Sequence, residues 1–323
     1  MKKLLTNIAI LFSLVAVTLV LFWNLQGYGS SGMAALLDKH ERLDSLDAMG
    51  RPKIIIVGGS NCPYGFNSAL MEEKLHMPVA DLGLHAGFGL RFILNDARDY
   101  VRKGDVVILS PEYLDFVDNE YNGEEALNEL LLGNYPAGLK KLQPAQIGSF
   151  LSNLGPYMGD LISRPIESAF VSATGTNREE NRKLKQYIGC RASYNAWGDF
   201  SIPPDFQLSF KVAPMQIDGK LNQDCFAFVR AFKRYVESRG AILVITPQSL
   251  QRSSYDLSTA KIGEIDSTMK SMGMPFHSAC DKYALPDPYF FNTVNHLDYE
   301  GQTLRTELVS EEIAQVLTPP SHS

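Results

Sequence analysis

Two segments at opposite ends of this chain carry side chains that together could activate a hydroxyl for attack on an ester. Ser60 lies in "IIIVGGSNCPYG", where an apolar run ends in two glycines, and His296 lies in "NTVNHLDYEG". A serine is a poor nucleophile until a base within hydrogen-bonding distance takes its proton, and histidine is the usual base. The alternative interpretations are an ordinary tight turn for Ser60 and a surface or core histidine for His296.

The two residues can meet only if the fold brings strand ends from both halves of the chain to one edge of a sheet. The apolar runs at 54–58, 105–110 and 241–247 are typical of buried parallel strands, and "MPVADLG" and "MPFH" (274–277) of shorter ones. Amphipathic helical segments separate them. The pattern predicts an α/β fold: a three-layer α/β/α sandwich with a mostly parallel five-stranded sheet. Chemistry is then expected at the carboxyl ends of the strands.

The alternation of strands and helices stops between the third and fourth strands. Residues 111–222 contain scattered prolines, glycines and aromatic residues without a regular period. Long irregular segments inside compact domains are often functional. We therefore expect one domain at 53–318 that contains an insertion of loops and short helices at 111–222, followed by a polar tail at 319–323.

The amino-terminal segment is apolar and follows a positively charged start. The stretch from Leu4 to Trp23 contains no charged residue and is long enough to cross a bilayer as a helix. We expect a single-pass transmembrane anchor at 1–25 and a stalk at 26–52 with a short helix at 33–47; a cleaved signal peptide is the alternative for the first segment. The lysines before the span favour a body outside the cytoplasm.

Composition excludes several classes of function. The 323 residues carry a net charge of -6 without a basic stripe, which argues against a nucleic-acid partner. The glycines after the first strand match neither a dinucleotide fingerprint nor a P-loop, so no cofactor is expected. The cysteines form no CxxC pair, and we expect no metal site. They are either disulfide-bonded, with three pairings open, or unpaired: Cys62, Cys190, Cys225 and Cys280.

Three blocks of sequence resemble the SGNH (GDSL-type) hydrolases: "GGSN", "DLGLHAGFG" and "FFNTVNHLDYEGQTLRT". The similarity is closer to the membrane-anchored branch, which includes the D-alanyl transfer protein of lipoteichoic acid and the O-acetylation proteins of alginate and related exopolysaccharides. The resemblance implies a serine esterase or O-acyltransferase, usually for acetyl groups, that acts on a cell-surface polysaccharide. It also implies a body in the periplasm or outside a bacterial cytoplasmic membrane, and a membrane-bound O-acyltransferase as partner.

The resemblance assigns roles to individual residues. Ser60 matches the nucleophile, and its own N–H matches the first donor to the oxyanion. The second-block glycine, whose N–H is the next donor, matches Gly83 or Gly87. His296 matches the catalytic base, and Asn61 could supply a further side-chain donor.

Two departures from the family pattern stand beside these matches. The asparagine of the third block is missing, and Glu112 and Tyr113 lie there instead; a carboxylate would repel an oxyanion unless it is protonated or turned away. The aspartate before the histidine is replaced by Asn292, which can orient an imidazole but cannot offset its charge. Both departures favour an alternative function: an inactive SGNH-like module that binds glycan or scaffolds a polysaccharide biosynthesis or export complex.

Overall fold

The described part of the chain folds around a sheet of four parallel strands. The computed structural model describes residues 31–161, 190–203 and 211–318, with the isolated positions Thr6, Ser13 and Ser163. The strand order is β2-β1-β3-β4, and every pairing is parallel. This confirms the α/β class and the parallel sheet. The strands are β1 (Ile54–Gly58), β2 (Val79–Asp81), β3 (Val106–Ser110) and β4 (Ile242–Ile245).

The expectation of a fifth strand in this sheet, at 274–277, was wrong. The segment runs past the end of β4 and meets it through a backbone hydrogen bond from His277 N to Ile245 O at 2.7 Å. Pro275 has no N–H to donate, so a regular ladder cannot form along this segment. A separate two-stranded parallel sheet instead pairs β5 (Leu250–Gln251) with β6 (Ala284–Leu285).

Helices cover both faces of the main sheet. Successive residues of a strand point to opposite faces, so each strand contributes side chains to two cores. Ile55 and Val57 belong to the larger core with Phe92, whereas Ile54 belongs to a second core with Val309. The described part of the chain is therefore layered helix, sheet, helix. The described α-helices are α1 (Ala35–Ala48), α2 (Ser68–Leu75), α3 (Leu90–Ala97), α4 (Glu125–Asn128), α5 (Pro144–Ser152), α6 (Gln223–Ser238), α7 (Arg252–Ser271) and α8 (Tyr299–Leu317).

Helix α1 is part of the folded domain and does not lie in a stalk. Leu36, Leu43 and Leu46 are at most 3% exposed and belong to the larger core. The Lys39 ammonium, also buried, donates to the carbonyl oxygen of Asp81 at the end of β2. The expected stalk at 26–52 is therefore corrected for the residues of this helix.

The membrane-anchor and tail predictions concern residues that the structure mostly leaves undescribed. The expected anchor at 1–25, apart from Thr6 and Ser13, and the tail at 319–323 lie outside the described residues. Among the described residues, no helix has both the length and the apolar character needed to span a bilayer.

Where the structure describes it, the insertion combines short helical turns, α4, α5 and helical residues at 154–161 with mostly irregular chain at 190–203 and 211–222. It packs against α3 and α6 and contributes Phe116, Tyr121 and Leu130 to the larger core, each at most 2% exposed. Residues 162, 164–189 and 204–210 of the insertion lie outside the described part. The 3₁₀ turns among the described residues are Gly32–Ala34, Ala86–Phe88, Arg98–Tyr100, Tyr113–Phe116, Glu120–Asn122, Pro136–Lys141, Arg191–Ser193, Cys280–Tyr283 and Asp287–Tyr289, and a π-helical turn is Glu129–Asn134.

Candidate active site

The turn after β1 carries Ser60 to the carboxyl edge of the sheet, and two glycines let this turn lie close to the end of β3. A Cβ on Gly58 would lie 2.3 Å from Ser110 O, and a Cβ on Gly59 would lie 2.5 Å from Glu112 Oε1. A side chain at Gly58 would therefore require a shift of the backbone, and one at Gly59 would displace the Glu112 carboxylate. Ser60 follows these glycines and is partly exposed, as a nucleophile must be.

Ser60, His296 and Asn292 form a continuous hydrogen-bonded chain. The imidazole Nε2 of His296 lies 2.7 Å from Ser60 Oγ, and its Nδ1 lies 2.8 Å from Asn292 Oδ1. An amide oxygen is an acceptor only, so it fixes the tautomer in which Nδ1 carries the proton. Nε2 is then free to accept the proton of the serine hydroxyl.

The loop that carries His296 is held from both sides. Leu297 N donates to Tyr64 O at 2.9 Å, which ties the loop to the turn after β1. Asp298 Oδ1 accepts from Gly301 N at 2.8 Å and caps the start of α8. These contacts explain how a residue near the end of the chain meets one near its beginning.

Tyr64 orients the imidazole ring by stacking on it, a role that sequence reasoning missed. The two ring centroids are 4.0 Å apart with an interplanar angle of 8°, and Phe200 stacks with Tyr64 at 4.2 Å. The stack limits rotation of the His296 ring about its side-chain torsions. The only signal in the sequence was the position of Tyr64 four residues after Ser60.

Burial of His296 keeps its imidazole neutral. The side chain is 9% exposed, and burial, with a smaller effect of His85, lowers the pKa of His296 to about 3. No carboxylate contacts Nδ1 to stabilise the imidazolium, because the contacting group is the amide of Asn292. The histidine is therefore in the base form at neutral pH.

This depressed pKa predicts that the folded state loses stability as the pH falls below 6.5. An unfolded histidine binds a proton near pH 6.5, whereas folded His296 does so only near pH 3. Between these values the unfolded state holds more protons, so acid favours unfolding. The loss attributable to His296 between pH 6.5 and 5 is about 2 kcal/mol.

The measurement is urea unfolding of the full-length protein at both pH values, in the native chain and in His296→Gln. The native chain should lose about 2 kcal/mol more than the variant, since the variant lacks the titrating group. Equal losses in the two proteins would show that His296 has an ordinary pKa.

The Glu112 carboxylate lies at the place expected for an oxyanion. Its Oε1 is 3.2 Å from Ser60 Oγ and 3.2 Å from Asn61 N, and its Oε2 accepts from Asn295 Nδ2 at 2.8 Å. Burial raises the pKa of Glu112, and the hydrogen bonds from Asn61 and Ser60 oppose that rise. Sequence reasoning placed Glu112 here but did not foresee these contacts, and it missed Asn295.

Neither glycine of the second block offers a free N–H in this structure. Gly83 N donates to Asp81 Oδ1 at 2.7 Å, and Gly87 N donates to His85 Nδ1 at 3.0 Å. Burial raises the pKa of Asp81 to about 8. The expectation that one of these glycines serves as an oxyanion donor is therefore not met by the geometry, because a neighbouring side chain has taken each N–H.

The side chains of Asn61 and Tyr113 point away from Ser60, contrary to expectation. Asn61 is fully buried, and its Nδ2 donates to Ser110 O at 3.2 Å and to Ser110 Oγ at 3.0 Å. Tyr113 is fully buried with its ring edge-on to Phe276. Only the backbone N–H of Asn61 faces the site, because its side chain fills the space beneath the turn.

Arg305 supports the turn from below. It is fully buried, and its guanidinium donates to Asn61 O and to Ser110 Oγ, both at 2.6 Å. It also lies over the Phe66 ring, 4.2 Å from the centroid. The arginine of "GQTLRT" therefore joins the nucleophile turn to the end of β3 and is not available to a substrate.

A cavity of about 400 Å³ borders the candidate site. Its polar edge includes Glu112, Asn292 and Asn295, and its apolar wall includes Val212 and Met215. Among the residues that the structure describes, no group of acidic, histidine or cysteine side chains could hold a metal ion. All four cysteines lie in the described part and are unpaired.

No protein-family model matches the chain, and a comparison with curated protein sequences finds no match.

Proposed function

We propose that this protein is a serine esterase or O-acyltransferase of the SGNH type that acts outside the cytoplasm on a cell-surface polysaccharide. The observation that carries the proposal is the 2.7 Å hydrogen bond between Ser60 Oγ and His296 Nε2. Asn292 on the opposite ring nitrogen and Tyr64 on the ring face orient the imidazole for this contact.

The geometry supports a two-step acyl transfer. His296 Nε2 removes the hydroxyl proton while Ser60 Oγ attacks the ester carbonyl carbon, and the same imidazole then protonates the leaving alkoxide. The N–H groups of Ser60 and Asn61 are the donors that would stabilise the oxyanion. In the second step water or a sugar hydroxyl, deprotonated by His296, takes the acyl group from Ser60.

The location and the partners in this proposal rest on the sequence. The uncharged stretch at 4–23 supports a membrane anchor with the domain in the periplasm or outside the cell. A membrane-bound O-acyltransferase would then supply the acyl group, acetyl in the simplest case, and a polysaccharide would accept it.

A second candidate function is an inactive module that binds glycan or scaffolds a polysaccharide export complex. Two observations favour it. Glu112 occupies the N–H of Asn61, and an amide replaces the carboxylate that usually partners the histidine. The two functions differ in whether Ser60 reacts.

Hydrolysis of p-nitrophenyl acetate by the full-length protein separates the two functions. We expect hydrolysis that disappears in Ser60→Ala and persists in Ser271→Ala, a matched change at an exposed serine. Hydrolysis that is absent in the native chain, or that survives Ser60→Ala unchanged, would leave the binding module as the better account. Release of acetate from an acetylated polysaccharide then tests the substrate class.

Asn292→Asp should make the site faster, because a carboxylate on Nδ1 stabilises the imidazolium that forms during attack. We expect kcat/KM for ester hydrolysis to rise about tenfold and the pKa of His296, followed by NMR, to rise as well. Asn292→Ala should lower kcat/KM because the tautomer is no longer fixed. If Asn292→Asp raises the pKa of His296 without raising kcat/KM, the result would argue against His296 as the base.

A further inference from the structure

An N–H donor that a reacting ester would need already has an acceptor. The backbone N–H of Asn61 donates to Glu112 Oε1 at 3.2 Å, and the hydroxyl of Ser60 lies 3.2 Å from the same oxygen. A carboxylate oxygen carries negative charge, as the oxygen of a tetrahedral intermediate does. The carboxylate therefore occupies this donor as an internal anion, and an ester carbonyl cannot reach the N–H while the carboxylate stays there.

Glu112 also competes for the proton of the nucleophile. The hydroxyl of Ser60 has one proton and two acceptors, His296 Nε2 at 2.7 Å and Glu112 Oε1 at 3.2 Å. A serine that donates to the carboxylate does not donate to the base, so the carboxylate opposes the step that the imidazole favours.

The local structure is shaped to receive this carboxylate. Gly59 leaves the space that Glu112 fills, since a Cβ there would lie 2.5 Å from Oε1. Asn295 Nδ2 holds Oε2 at 2.8 Å, and Glu112 is 6% exposed. The amide Nδ2 of Asn295 and the backbone N–H of Asn61 can only donate, so both favour a carboxylate that accepts.

From these contacts we propose that Glu112 holds the active site closed, and that its side chain must leave the N–H of Asn61 and the hydroxyl of Ser60 before an ester can react. This inference rests on the proposed function, because it concerns access to the same nucleophile. It assigns a gating role to the carboxylate that replaces the asparagine of the resembled family.

The cavity beside the site has room for the displaced Glu112 side chain. Glu112 and Asn295 both line the cavity of about 400 Å³, and Lys211 is the one basic side chain among its described lining residues. The backbone of Glu112 is fixed by a 2.8 Å hydrogen bond from its N–H to Asp115 Oδ2. A rotation of the side chain alone would therefore carry the carboxylate from these donors into the cavity that it already lines.

The test is the rate at which a fluorophosphonate probe labels Ser60 in the full-length protein. Glu112→Ala should label about tenfold faster than the native chain, because it frees the N–H of Asn61 and the hydroxyl of Ser60. Glu112→Gln should lie between them, since a neutral amide oxygen holds the donors more weakly. Glu311→Ala is the matched control at an exposed carboxylate and should label at the native rate.

The outcomes separate this inference from the proposed function. Slower or unchanged labelling in a folded Glu112→Ala, with Ser60 still labelled in the native chain, would overturn the closed-site proposal and leave the serine chemistry standing. If Glu112→Ala does not fold, labelling of Glu112→Gln at the native rate would overturn the closed-site proposal instead. If neither the native chain nor the Glu112 variants are labelled at Ser60, the proposed function fails, and this inference fails with it.

Discussion

Replacing Ser60 or His296 by alanine should each lower kcat for ester hydrolysis by about 10³-fold, and the double variant should lose little more. The reason is that one hydrogen bond, 2.7 Å long, makes the hydroxyl and the imidazole act as a unit. Without Ser60 the imidazole has no nucleophile to deprotonate, and without His296 the hydroxyl of Ser60 has no base. The measurement is steady-state hydrolysis of p-nitrophenyl acetate by the three variants.

His277→Ala is the matched control for this experiment, because His277 is an exposed histidine outside the site. It should hydrolyse the ester at the native rate. Losses that multiply in the double variant would mean that Ser60 and His296 contribute independently, and the proposed dyad would then be wrong.

Arg305→Met should lower the free energy of unfolding by about 2–4 kcal/mol, the largest stability effect that we expect from a single change. The substitution removes the donor that pairs with Asn61 O and Ser110 Oγ and leaves both oxygens buried without it. Arg305→Lys keeps the charge but cannot reach both acceptors, so an intermediate loss is expected.

Urea unfolding of the full-length protein checks this prediction, with Arg234→Met as the control at an exposed arginine of α6. The control should change stability by less than about 0.5 kcal/mol. A loss below 1 kcal/mol for Arg305→Met would show that the nucleophile turn does not depend on this contact.

The parallel sheet, though not its strand order or its number of strands, could be predicted because it depends on repeated local patterns. The apolar runs that became β1, β3 and β4 are bounded by turn residues and separated by helices, and such a pattern has few parallel arrangements. The carboxyl ends of these strands lie at one edge, so Ser60 was expected at that edge and lies there. His296 was expected beside it on the strength of the resemblance and the order of the elements.

The orientations and hydrogen-bond partners of individual side chains could not be predicted from these local patterns. An asparagine next to a nucleophile can point into the site or beneath the turn, and Asn61 points beneath it because Ser110 offers partners there. Whether the N–H groups of Gly83 and Gly87 are free to bind an oxyanion depends on whether the side chains of Asp81 and His85 accept hydrogen bonds from them. Such choices are made by tertiary contacts, which a single sequence does not contain.

Helix α1 shows a signal that was present but misinterpreted. Leu36, Leu43 and Leu46 share one helical face, which is typical of a helix packed on a core. The adjacent apolar amino terminus favoured a stalk instead. In the "MPFH" segment, by contrast, Pro275 was the one residue that argued against a regular strand beside β4.

The most direct test of the central claim, that His296 activates Ser60 as a nucleophile, is to trap the acyl-enzyme. The full-length protein is mixed with p-nitrophenyl acetate and quenched in acid, and its peptides are mapped by mass spectrometry. We predict an acetyl group on Ser60 in the native chain and none at that position in His296→Ala. Acetyl groups on other side chains alone, or equal acetylation of Ser60 without His296, would contradict the account.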